Sequence, residues 1–170
     1  MRDVLVIGYG NALRTDDGLG WHAAERLAAD PRLAGATVLQ RHQLTPELAL
    51  DISRAAFVVF VDASRGPAGA LSVEPVEAAT DATLSWSHHV DPSVLIALSR
   101  DLYSRAPDAV AVSVGVASDA AGDRLSPVVE AALPDVAATV ARLVAERGGA
   151  VPATAAIVEP ASTTAEHGRA

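Results

Sequence analysis

The run Phe57-Val58-Val59-Phe60-Val61 leaves no polar position for either side of a strand. A strand apolar on both faces has to be covered on both. A parallel sheet between two layers of helices provides that cover, whereas an antiparallel sheet often leaves one face to water. The rest of the chain follows the same demand. Val4–Gly8 reads as a first strand. Leu19, Ala23, Ala24, Leu27 and Ala28 recur at helical spacing in a helix predicted from about Asp17 to Asp30, which Pro31 ends. Thr37–Gln40 is a short second strand. Thr45-Pro46-Glu47 then offers a helix an N-cap, a proline at its first position and an acidic first turn. After the central strand comes a turn at Gly66–Gly69 and an alternating strand, Leu71–Val76, and so short a link suggests an antiparallel hairpin. Asp91-Pro92 opens a helix to about Ser104, Ala109–Val114 is the last strand, and Ser126-Pro127 opens a final helix to about Arg147.

Strands alternating with helices define an α/β domain, and 170 residues suffice for one. The domain is expected over residues 1–147. Residues 148–170, rich in Ala, Thr, Pro and Gly and without any period, read as an appended, disordered tail.

A net charge of −8 argues against a nucleic-acid partner, which favours a basic stripe. The chain has no cysteine, which excludes a disulfide scaffold, a thiolate metal site and a cysteine nucleophile. The longest apolar run, Ala55–Val61, is far shorter than the ~20 residues of a membrane helix, and the first strand is too short for a signal peptide. These features predict a cytoplasmic protein with no membrane partner.

Gly8 and Gly10 follow the first strand as a dinucleotide fingerprint would. Leu13 stands where that pattern needs its third glycine, and Asp16 and Asp17 occupy the helix start that would receive a pyrophosphate. Two carboxylates there repel phosphate and suit a cation; capping the helix is their structural alternative, for which one aspartate is enough. Asp62 closes the apolar central strand, at the sheet edge where open α/β folds bind ligands. His88 and His89 precede the Asp91-Pro92 helix, whose start belongs at the same edge. Two carboxylates and one imidazole neutralise a divalent cation and leave coordination positions open. Adjacent loop residues rarely both reach one ion, so one histidine is the expected ligand and the other its support. His22 and His42 read as packing or surface residues, and His167 carries no role. Ser64 and Ser87 lack the Gly-x-Ser-x-Gly elbow of a serine hydrolase.

The segments VLVIGYGNALRTDDGLG, HQLTPELA, VVFVDAS, SHHVDP and LSPVVEAALPDV, in this order and spacing, resemble the hydrogenase maturation proteases over about residues 3–146. The motif Gly-x-Gly-Asn-x-x-x-x-Asp-Asp/Glu-Gly-x-Gly carries the resemblance together with the Asp62 strand. It implies a three-layer α/β/α sandwich of the phosphorylase/hydrolase-like type, with a five-stranded, mostly parallel sheet and one antiparallel strand. It implies an aspartyl-type endopeptidase that removes the C-terminal extension of a nickel–iron hydrogenase large-subunit precursor, working as a monomer. The resemblance makes Asp17, Asp62 and His89 both the catalytic and the metal-binding residues, with His88 open as the alternative to His89. The metal it implies is nickel supplied by the substrate rather than permanently held. Asp17 is the shorter carboxylate where some relatives carry glutamate. Asp16 is a helix cap or a general base, and a non-catalytic nickel-sensing checkpoint protein is the alternative function.

Overall fold

The computed structural model describes residues 3–80 and 90–146. In chain order its elements are β1 (Val4–Tyr9), α1 (Leu19–Ala28), β2 (Ala36–Arg41), α2 (Leu48–Arg54), β3 (Phe57–Ala68), β4 (Leu71–Pro75), α3 (Pro92–Tyr103), β5 (Asp108–Gly115) and α4 (Pro127–Glu146). The strands form one five-stranded sheet in the order β2-β1-β3-β5-β4. β2, β1, β3 and β5 run parallel, and β4 is antiparallel to β5.

The apolar run at Phe57–Val61 is covered on both sides, as its composition requires. Val4, Val6, Val59 and Val61 pack with Leu19, Ala23 and Leu27 of α1 and with Val129, Leu133, Val136 and Val140 of α4. Leu5, Ile7, Val58 and Phe60 pack on the other face with Leu48 and Ile52 of α2 and Leu95 and Ile96 of α3. Each large apolar side chain so buried stabilises the fold by roughly 1.5–3 kcal/mol before chain entropy is counted. The result is the expected three-layer sandwich.

Four local expectations need correction. The antiparallel strand is present, but β4 pairs with β5 and makes no hairpin with β3. The apolar run ends at Val61, yet β3 continues through Asp62 to Ala68 with a shift of register between Ser64 and Ala68. That extension passes over the end of β5, where Gly69 N donates to Gly115 O and Gly115 N donates to Ala70 O at 2.8 and 2.9 Å. The chain therefore descends on the far side of β5. α1 begins at Leu19, and Asp16 and Asp17 lie ahead of it in a 3₁₀ turn, Thr15–Gly18. α2 begins at Leu48, and no side chain caps it. Asp91 does cap α3 as predicted, accepting from Val94 N at 3.0 Å and from Ser93 Oγ at 2.7 Å. Residues 148–170 lie outside the described residues.

Candidate functional site

The chain leaves β1 toward β2 on one side and returns to β3 on the other. β1 and β3 therefore flank the point where the strand order reverses, and the crevice beyond their carboxyl ends is where open α/β sheets bind ligands. Both described carboxylates predicted from sequence are here, Asp17 after β1 and Asp62 within β3.

The glycines of the first loop put Asp17 in place. Gly10 has φ +149°, a conformation that favours glycine, and a methyl group on it would overlap the Asp17 carbonyl oxygen. A methyl on Gly20 would overlap the carbonyl oxygens of Tyr9 and Val61, so α1 rests directly on the backbones of β1 and β3. The glycine pattern thus serves close packing of helix and turn on the strands. Asp17 is half-buried, and its Oδ2 accepts from Asn11 N at 3.2 Å. Asn11 Oδ1 in turn accepts from Leu13 N at 3.0 Å, which shapes the intervening loop.

Asp16 has no exposed surface and takes no part in capping α1. Its Oδ2 accepts from Ala117 N, Ser118 N and Ser126 Oγ at 2.9, 2.9 and 2.8 Å, and its Oδ1 accepts from Ser126 N at 2.7 Å. Burial acts to raise its pKa, but the bonds from Ser126, Ala117 and Ser118 outweigh it and hold the carboxyl below its ordinary value. Thr15, at φ +41°, adds a bond from its Oγ1 to Ala120 O at 2.6 Å, and Thr15 N donates to Gly122 O at 2.9 Å. Arg14 Nε donates to Asp119 O at 3.3 Å. The turn carrying Asp17 is therefore stitched to the segment between β5 and α4. An ionised carboxylate offers about four lone-pair sites. Asp16 meets four donors, three on Oδ2 and one on Oδ1, and has no exposed surface, so its carboxylate is engaged within the protein.

Asp62 is half-buried on the α2/α3 side, and its Oδ1 accepts from Ala63 N at 2.7 Å. Burial pushes its carboxyl up to about 6. Hydrogen bonds from the Tyr9 hydroxyl and the Ala63 amide draw it down, and the charge of Asp17 adds to the rise. The charge of Asp17 thus reaches Asp62 across the switch point. Tyr9, which the sequence reading did not single out, is a third member of the edge. Burial raises its phenol far above its ordinary value, and the charge and hydrogen bond of Asp62 and the charge of Asp91 act in the same direction.

His88 and His89, with Ser87, fall outside the described residues. Val90, which follows them, packs against the same apolar cluster as Tyr9. Among the described residues no set of three or more His, Cys, Asp or Glu is gathered to hold a metal ion. His42 stacks on Trp21 with ring centroids 4.0 Å apart, a packing role. His22 lines a cleft of about 350 Å³ between α1 and α4, and its buried Nε2 has no partner among the described residues. No helix of the described residues is long and apolar enough to cross a membrane.

No protein-family model and no curated protein matches the sequence. The structure does match solved structures of the same fold, among them hydrogenase maturation proteases. The maturation protease HycI of Thermococcus kodakarensis superposes with a TM-score of 0.68 at 20% identity, over 85% of this chain and 93% of that one. The hydrogenase maturating endopeptidase HybD of E. coli gives 0.63 at 22% identity, over 86% and 93%. The hydrogenase 2 maturation peptidase of a Thaumarchaeota archaeon gives 0.65 at 23% identity, over 85% and 99%. At such identities the likeness is one of fold.

Proposed function

We propose that this protein is a hydrogenase maturation endopeptidase. It recognises nickel already inserted in the precursor of a nickel–iron hydrogenase large subunit and removes the precursor's C-terminal extension. The observation that carries the reading is the placement of Asp17 after β1 and Asp62 within β3, on the two strands that flank the switch point, in a fold shared with named maturation proteases.

In this reading the nickel arrives with the substrate, and Asp17, Asp62 and His89 contact it, with His88 the alternative imidazole. Carboxylate and imidazole ligands hold a borderline cation without competing for it as thiolates would, so the product can leave with its metal. The chain has no cysteine to interfere. Metal-bound, the scissile carbonyl is polarised or a water is activated. The protein's own part is to present Asp17 on a turn pinned by Asp16, Thr15 and Gly10, and to hold Asp62 at the edge, where a carboxyl pushed up to about 6 is still ionised at neutral pH. The proposal includes action as a cytoplasmic monomer, with the precursor as its partner.

The test is to incubate the full chain with a nickel-loaded large-subunit precursor and follow the precursor's mass. A product shortened at its C-terminus is expected, and Asp17→Ala, Asp62→Ala or His89→Ala should abolish it. Retained binding with no shortening in the wild type would replace the endopeptidase by a nickel-sensing checkpoint. Normal processing by His89→Ala, with none by His88→Ala, would move the imidazole role to His88.

A further inference from the structure

Along β1, Leu5 and Ile7 face the α2/α3 layer, and along β3 so do Val58 and Phe60. Continuing that alternation puts Tyr9 and Asp62 on the same face. The register Gly8↔Val61 makes them neighbours on adjacent parallel strands, one step beyond. The Tyr9 ring packs against the α2/α3 cluster together with Val90, work that a phenylalanine could do equally. The hydroxyl is what phenylalanine lacks, and the shared face of adjacent strands sets it beside a half-buried carboxylate.

We propose that Tyr9 is a positioning residue of this edge: its hydroxyl donates to the Asp62 carboxylate and, with the Ala63 amide, fixes the rotation at which Asp62 meets a divalent cation. The inference rests on the reading of Asp17 and Asp62 as the nickel-facing pair. The terminal torsion of an aspartate is broad and soft, so a carboxylate held only by its own chain samples many orientations. A donor on each side removes that freedom before the metal arrives. Such supporting bonds typically carry about 10–100-fold in metal affinity. The spacing of β1 and β3 is set by the sheet itself, so the support costs no rearrangement when the cation binds.

Ni²⁺ and Co²⁺ are titrated calorimetrically into the full-length wild type, Tyr9→Phe and Asp62→Asn, with the Co²⁺ visible absorption and the metal-free melting temperature recorded for each. Tyr9→Phe is expected to melt with the wild type, to bind Ni²⁺ about 10-fold or more weakly, and to change the Co²⁺ band. Equal affinity and an equal band in wild type and Tyr9→Phe, with binding lost in Asp62→Asn, would overturn the role of Tyr9 and leave the pair intact. Weaker binding by Tyr9→Phe that comes with a lowered melting temperature would assign Tyr9 to packing and overturn the proposal. Indistinguishable Ni²⁺ binding by wild type and Asp62→Asn would overturn the nickel-facing reading, and the role of Tyr9 with it.

Discussion

Asp16 and Asp17 share a turn and have opposite surroundings. Asp16→Ala leaves three part-buried amides and a hydroxyl without their acceptor, beneath a carboxylate position that has no exposed surface. At about 1–3 kcal/mol for each such group it should destabilise the protein by about 3 kcal/mol or more in urea unfolding. Because its folded pKa is lowered, the stability Asp16 contributes is full above the unfolded value near ~3.9 and is lost as pH falls through the folded value. The gap between wild type and variant should therefore narrow only in acid. Asp62 has the opposite sign. Its folded value of about 6 lies above the unfolded one, so its favourable contribution is complete below pH ~3.9 and is lost as pH rises through 6. Asp62→Asn, which imitates the protonated group, should match the wild type near about pH 4 and exceed it near about pH 8 by on the order of 2 kcal/mol. Urea midpoints at both values check this. Asp17 and Asp62 are legible in the sequence because a carboxylate after a glycine turn, or after an apolar run, is out of character for a buried sheet. Tyr9 is not legible, since an aromatic ending an apolar strand is ordinary core. Only the register with β3 sets it beside Asp62.

Among the elements, α1 depends on how closely it can approach β1 and β3. Gly20→Ala forces a methyl against the Tyr9 and Val61 carbonyl oxygens. It should cost about 2 kcal/mol or more, read as a lower urea midpoint at unchanged slope. The core-forming runs and the α3 cap were visible as pattern, because burial on two faces and a cap at a fixed offset are local demands. The pairing of β4 was not. A short link between two strands ordinarily joins neighbours, and nothing in Ala63–Ala70 announces that β5, which comes later in the chain, will take the place between them. The predicted caps at Asp16 and Thr45 failed in a related way. Both stand where a cap could, but the Asp16 carboxylate bonds to residues 117–126, more than a hundred positions along the chain, and α2 starts beyond Thr45.

For the whole molecule, the sheet's interior and its margins differ. Val6, Ile7, Val58–Val61 and Val112 are shielded almost completely, whereas β2 at one margin is only partly covered. Hydrogen exchange should be slowest in β1, β3 and β5 and faster in β2, and uniform exchange rates would contradict this layout. The site lies where the shielded interior meets the edge, on loops attached to the most protected strands. The stitching of Asp16 to residues 117–126 also has a consequence for how the protein is made. A ribosome delivers Asp17 and Asp62, and His88 and His89 after them, well before it delivers that anchoring segment. A nascent chain that has emerged only as far as α3 carries all the candidate ligands but no fastening for the turn beneath Asp17. The turn beneath Asp17 gains these bonds only when the segment between β5 and α4 has been made, late in synthesis.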